Sequence, residues 1–320
     1  MLKISIIIPV YNVSLFIERC LLSVVEQRHE ALEVILVDDA SPDDSMEKAR
    51  RFLSGYPKLD YKIVTHPQNK GLSAARNTGV KHSTGAYLYF LDSDDALPEN
   101  AIAILADKAI ADRPDFVMGD MRIVGGEGLR FPLLKLECQT LCGAEILHSF
   151  LRKEWCEMAC NKLIDRRLFD VEHCWFYEGI VHEDNLWSFY LACKSERMSV
   201  CQEVTYVYYI QPQSITRKKS MRNIDSLCIV LETIINESRG ITDRQTRSLL
   251  CRYLWNLKIY FMKSLLLNPF EKKDVIASYR RVNALFCDPL FDSSVKPLTM
   301  RLKDCLCLLY TSPSPRDAHE

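Results

Sequence analysis

Asp92 and Asp94 flank a single serine, and Asp95 follows at once. Two carboxylates so spaced can share a hard divalent ion, because Mg²⁺ or Mn²⁺ takes oxygen ligands. Such an ion often uses only one or two protein carboxylates and fills its shell with phosphate oxygens. Taken alone, Asp-x-Asp is common by chance and is better explained as a solvated acidic turn. Asp38-Asp39 is a second acidic pair. Asp39 either caps a following helix or accepts an N–H from a flat base on which Tyr11 stacks. In the segment 69–77, small residues open a helix beside Lys70 and Arg76. Helix N-termini and cations suit phosphate. The plainer alternative makes Gly71 a turn and Arg76 a surface charge.

The surrounding pattern says what must position these groups. Ile4–Val10 is a short β-branched run and predicts a buried strand. Apolar residues at helical spacing follow over 14–27, then strands at 33–37 and 61–65. Ser41-Pro42-Asp43-Asp44 predicts a helix with Ser41 as N-cap and Pro42 at its first position. Leu72 to Val80 predicts a helix, 86–91 a strand, 98–109 a helix and Phe116–Val124 a strand. This alternation implies parallel pairing with right-handed crossovers. Ligands of such sheets bind beyond the carboxyl ends of the strands, where Tyr11, Asp38, Asp39, Asp92, Asp94 and Asp95 fall. Like charges so close need a cation, a proton or a hydrogen-bond donor.

A glycine-rich loop at 125–128 follows, then a mixed stretch, a Val- and Tyr-rich strand at 198–210 and a polar link at 211–220. The reading is helical over 221–309, most strongly amphipathic at 249–267. The basic run at 217–219 suits a diphosphate or an anionic membrane, and more simply a solvated link. The stretch 296–310 suits a surface helix touching lipid or one packed on its own domain. Residues 311–320 are polar and Pro/Ser-rich, a disordered or non-native tail.

Composition narrows the class. With 320 residues, 48% hydrophobic and 26% charged, the chain has enough apolar material for a large core. Lysine and arginine (41) balance aspartate and glutamate (42), which speaks against a protein that coats nucleic acid. The 13 cysteines include no Cys-x-x-Cys and suit a reducing compartment, hence the cytosol. A Cys156/Cys160 metal site is conceivable but weaker than two small buried hydrophobes. No signal peptide is apparent, and no apolar run reaches the roughly 18–20 residues of a membrane span.

Four strings, in order, carry a resemblance: Ser5-Ile6-Ile7-Ile8-Pro9-Val10-Tyr11-Asn12, Val37-Asp38-Asp39-Ala40-Ser41, Asn69-Lys70-Gly71-Leu72-Ser73-Ala74-Ala75-Arg76-Asn77 and Leu91-Asp92-Ser93-Asp94-Asp95. Together they resemble family 2 glycosyltransferases of GT-A fold. The resemblance is strong over 3–125 and weaker through Asn161-Lys162-Leu163 and His182-Glu183-Asp184 to about Thr216.

The resemblance implies a Rossmann-like α/β fold with a mostly parallel sheet and flanking helices, a nucleotide-sugar donor, and Mn²⁺ or Mg²⁺. It puts Pro9, Tyr11 and Asp39 at the nucleoside, Arg76 near the nucleotide or diphosphate, Asp92 at ribose and metal, and Asp94 on the metal; Lys70 is expected among the donor-binding residues. Lys162 matches a family lysine on the donor side. Glu183-Asp184 is similar to the family's acidic pair, whose aspartate is the usual base; a helix N-terminal pair held by the dipole is the simpler account. Trp187 stands where many relatives carry Phe, a change expected at the acceptor pocket. The Gln-x-x-Arg-Trp string of processive synthases is absent.

The expectation is therefore an inverting, metal-dependent, non-processive glycosyltransferase using a UDP-sugar. Its acceptor is a glycan or lipid-linked oligosaccharide at the cytoplasmic membrane face, with peripheral membrane contact. The catalytic domain is expected at 1–216 and a helical region at 217–310. A sugar nucleotidyltransferase and a catalytically silent nucleotide-binding protein are the alternatives.

Overall fold

In the computed structural model, which describes residues 1–125, 134–211 and 220–291, all seven residues of β1 (Ile4–Val10) are buried. A strand covered on both faces reads as a near-continuous apolar run, interrupted here only by Ser5, whose hydroxyl is bonded. Next come α1 (Ile17–Val25), β2 (Leu32–Asp38), α2 (Ser45–Ser54), β3 (Asp60–Thr65), α3 (Leu72–His82) and β4 (Tyr87–Phe90). The chain continues through α4 (Ala101–Asp112), β5 (Phe116–Val124), β6 (Thr140–Cys142), α5 (Ala144–Leu151) and β7 (Lys162–Asp165). After α6 (Arg167–Asp170) and α7 (Glu183–Lys194) it enters β8 (Arg197–Tyr209).

The strands form one eight-stranded sheet in the order β3-β2-β1-β4-β7-β5-β8-β6. Pairs β1–β2, β2–β3, β1–β4 and β5–β8 are parallel. The short β7 is antiparallel to both β4 and β5, and β6 is antiparallel to β8. Winding runs outward from β1 to β3 on one side and resumes at β4 on the other. The crevice at such a reversal is where an open α/β sheet takes ligands.

Two details fix this region. Helix α3 lies so close to β1 that a Cβ on Gly79 would sit 2.2 Å from Ile7 Cγ2. Glu33 is buried in β2, where its carboxylate accepts from Ser5 Oγ (2.6 Å), the Thr84 N–H (2.7 Å) and Lys62 Nζ (3.1 Å). Burial pushes this carboxyl up, but the hydrogen bonds outweigh it and hold it at about 2.

The sheet and α1 to α7 form one compact unit; residues 180–182 with α8 (Met221–Glu237), α9 (Arg244–Leu266) and α10 (Lys272–Leu285) form a second. Within the second, Asp243 caps α9 by accepting the Thr246 N–H at 2.7 Å. Trp255 packs against Phe286 and Phe291. Among the described residues no helix is long and apolar enough to cross a membrane.

Helix α2 begins later than expected. Ser41 gives its hydroxyl to Asp43 and accepts the Asn12 N–H, and Asp43 accepts the N–H of Ser45. These bonds make 41–44 a tight turn, so Pro42 is not the first helical residue. The loop at 126–128, the basic run at 217–219, the 296–310 stretch and the 311–320 tail lie outside the described residues.

Candidate functional site

Three strand ends and two helix starts converge. Pro9, next to last in β1, pairs with Val37 of β2. Its missing N–H costs nothing. Alternation along β1 turns Pro9 toward β4, whose ladder has already ended: Phe90 pairs with Ile7, and the Leu91 N–H reaches the Ile7 carbonyl. Tyr11 follows, 44% exposed and open to stacking. Asn12 and Ala40, just past β1 and β2, both have φ of 55°. Non-glycine residues are rare there, and such strain gathers at functional loops.

Asp39 does not cap α2; Asp38 instead accepts the Ser41 N–H at 2.9 Å. Asp39 is 3% exposed and grips the start of α3. Its Oδ1 accepts the Lys70 N–H and Oδ2 the Gly71 N–H, both at 2.8 Å, while His66 Nδ1 donates to Oδ1 at 2.7 Å. Gly71 has φ of 90°, a turn that favours glycine. The side chain of Lys70 is exposed.

Beyond β4, Asp92 and Asp94 are partly exposed and Asp95 is buried. Asp95 belongs to the scaffold: it accepts from Tyr206 Oη at 2.6 Å and from the Tyr209 N–H at 2.8 Å, anchoring the turn to β8. Burial, reinforced by Asp94 and Asp92, pushes its carboxyl up to about 8. Arg19 of α1 bonds the Asp94 carbonyl and lies 3.6 Å from the Tyr209 ring centre. Burial and the neighbouring Asp92 raise the Asp94 carboxyl to about 6.

Arg76 joins this acidic turn to the acids of α7. Its guanidinium, 1% exposed, places Nη2 2.9 Å from Asp92 Oδ1. Nη1 lies 2.7 Å from Asp184 Oδ1 and 3.1 Å from Glu183 Oε1. Burial alone would favour losing the Arg76 proton; Asp184, Asp92 and Glu183 reverse this and hold it charged. Burial raises both Glu183 and Asp184, with Arg76 opposing. The ring of Phe176 lies 5.2 Å from the guanidinium and stacks on Trp187 at 4.7 Å. Trp187 is 1% exposed, with its N–H on the Cys174 carbonyl, which ties it to the 174–176 loop.

Two expected donor residues have other partners. Arg76 ends on three carboxylates. Lys162 is fully buried in β7, and Nζ donates to the carbonyls of Cys156 (3.0 Å) and Met158. Burial lowers its pKa. Lys162 thus ties down the 156–158 loop instead of reaching into the crevice.

Asp92 and Asp94 fit a divalent cation: both offer hard carboxylate oxygens, and Asp94 sits where burial and Asp92 disfavour its own charge. Among the described residues no three His, Cys, Asp or Glu side chains converge as metal ligands, Cys156 and Cys160 included. A cation here would need further oxygens from phosphate or water. Pattern reading missed His66, Arg19, Tyr206 and Phe176. Only His66 left a signal, because it directly follows β3, at the same carboxyl edge of the sheet.

Comparisons with known proteins agree with this architecture. The uncharacterized glycosyltransferase EpsJ of Bacillus subtilis (strain 168) is 32% identical over 219 residues, covering 67% of this chain and 62% of EpsJ. The uncharacterized glycosyltransferase YibD of Escherichia coli (strain K12) is 28% identical over 221 residues, covering 67% of this chain and 63% of YibD. The chain therefore spans less than two thirds of either relative. The crystal structure of S. aureus TarS 1-349 in complex with UDP-GlcNAc superposes with a TM-score of 0.75 at 21% identity, covering 99% of this chain and 92% of that one. A mannosyltransferase from Pyrobaculum calidifontis, in complex with GDP-Man and Mn²⁺, gives 0.57 at 18% identity, covering 98% and 88%. These likenesses establish a shared GT-A-like fold. The family model for glycosyl transferase family 2 matches residues 5–172, more than half of the chain, and the chain belongs to that family.

Proposed function

We propose that this chain is an inverting, metal-dependent, non-processive glycosyltransferase that moves one sugar from a UDP-sugar to a hydroxyl of a glycan or lipid-linked oligosaccharide. The observation that carries this is the Arg76 bridge, which brings the Asp92 turn and the Glu183-Asp184 helix start together across roughly ninety residues of chain. A transferase needs both parts: one acidic group for the donor diphosphate and its cation, and a separate carboxylate for the acceptor proton.

The roles follow. Tyr11 stacks on the base, Asp39 accepts its N–H, and Pro9 shapes the wall beside them. Lys70, exposed on the α3 loop, meets the diphosphate. Asp92 and Asp94 would hold Mn²⁺ or Mg²⁺, which when bound neutralises charge on the leaving nucleoside diphosphate. Asp184 engages Arg76 through Oδ1, which leaves Oδ2 for the acceptor hydroxyl. The acceptor oxygen attacks the anomeric carbon, the bond to the diphosphate oxygen breaks on the opposite face, and the acceptor proton passes to Asp184. Arg76 and Lys162 set the geometry from below without touching the sugar. UDP-GlcNAc in TarS and GDP-Man in the mannosyltransferase are precedents for the donor class. We place the catalytic domain at 1–216 and a C-terminal region at 217–310, helical in the described α8 to α10, and the site of action at the cytoplasmic face of the membrane.

UDP binding with and without metal tests this reading. A ligand selective for the folded state raises the melting temperature. UDP should raise it more with Mn²⁺ than with EDTA. An equal shift in both would remove the metal from the account, and no shift in either would remove the nucleotide.

A further inference from the structure

His66 makes two side-chain contacts, one buried and one partly buried, that the roles above do not use. It is 5% exposed, directly after β3, and its backbone N–H bonds the Asp38 carbonyl at 2.8 Å. Its ring spans from Asp39 to α3: Nδ1 lies 2.7 Å from Asp39 Oδ1 and Nε2 2.9 Å from Thr78 Oγ1. A carboxylate only accepts, so Nδ1 carries the proton toward Asp39. In the neutral ring Nε2 then accepts the Thr78 hydroxyl proton. The chain of donors is Thr78 to His66 to Asp39.

This has a consequence for Asp39. A carboxylate has about four acceptor positions, two on each oxygen. Oδ1 takes His66 and the Lys70 N–H, and Oδ2 takes the Gly71 N–H. One position is left, on Oδ2. A uracil ring offers a single imide N–H flanked by two carbonyls. A guanine edge offers two adjacent N–H donors, which pair best with both oxygens of a carboxylate at once. Asp39 has no second oxygen to give.

We infer that His66 is a positioning residue that sets base preference in the donor pocket, filling Oδ1 of Asp39 so that a single imide N–H is accepted and a paired donor edge is not. The inference rests on the reading of Asp39 as the group that meets the base. It adds a residue to that recognition and a reason for uridine over guanosine.

Calorimetric titration of the full chain with UDP and with GDP, in Mn²⁺, tests it. Wild type should bind UDP more tightly than GDP. His66→Ala should weaken UDP severalfold, because Asp39 remains but loses one of the donors that orient it. GDP should weaken less, so the preference narrows. His66→Asn, whose amide N–H can stand in for Nδ1, should recover most of the UDP affinity. With UDP-sugar as substrate, the loss in His66→Ala should fall on the donor KM and not on kcat, which a general loosening of the fold would not produce. Should His66→Ala fail to fold, Thr78→Val keeps the imidazole in place while removing its hydroxyl partner, and should cost UDP a few-fold. Wild-type binding of UDP with no change in a folded His66→Ala, or in Thr78→Val, overturns the inference alone. An asparagine variant no better than alanine does the same. No UDP binding by wild type overturns the donor reading and this inference with it.

Discussion

Replacing Arg76 with Met keeps a long apolar stem and removes the only cation bonded to Asp92, Glu183 and Asp184 among the described residues. Removing one partner of a buried ion pair costs about 3–5 kcal/mol, because the other charge is left uncompensated. The lower end applies, since the Asp92 and Asp184 side chains keep 25% and 27% of their exposure and water screens part of the repulsion. The loss should therefore be about 3 kcal/mol at pH 7. It should also depend on pH. Without Arg76, Glu183 and Asp184, which burial already raises in the folded state, lose the charge that opposes that rise. Such groups destabilise above their unfolded pKa and stop doing so once protonated. The deficit should be largest near pH 7–8 and shrink as pH falls toward 5. Urea denaturation of wild type and Arg76→Met across that range measures it. A variant as stable as wild type at pH 7, or a deficit that grows on acidification, would refute the view of Arg76 as the shared counter-charge. Arg76→Lys, which cannot span three carboxylates in the same fork, should fall between the two.

Glu33 gives the opposite pH signature. Its folded pKa is depressed from 4.5 to about 2, so its contribution is present above about 4.5 and is lost as pH falls toward 2. It is worth at most about 3 kcal/mol, and acid titration of the urea midpoint should show that loss flattened in Glu33→Gln. Gly79→Ala should destabilise by about 1–3 kcal/mol, because its Cβ meets Ile7 Cγ2 at 2.2 Å and the β1–α3 contact must open; thermal melting reads this, and an unchanged midpoint would show that the contact gives easily.

The parallel half of the sheet was legible from residue types. The bounds of Ile4–Val10, buried throughout, and of Phe116–Val124, buried over its first half, both agree with the structure. That Asp39, Asp92 and Asp94 lie just past the carboxyl ends of parallel strands followed from the strand–helix alternation alone. Shorter elements carried less signal. Strand β7 has only four residues and β6 three, too few for alternation to register. The start of α2 was misread because Asp43, with two serines and a backbone amide in reach, makes a better local acceptor than Ser41. Side-chain partnership was the least legible. Nothing in the spacing of Arg76 and Asp184 says that one neutralises the other, and nothing around Lys162 says that it faces carbonyls. Such pairings depend on burial, which a string of residue types does not state.

Transfer by Asp184→Asn tests the central claim most directly. Asparagine keeps the shape beside Arg76 and removes the basicity. General-base catalysis contributes about 10²–10⁴-fold. With a UDP-sugar that wild type turns over, release of UDP should fall by about that factor, while calorimetric UDP affinity in Mn²⁺ stays near wild type. Full transfer activity in Asp184→Asn would contradict the account and pass the role of base to Glu183.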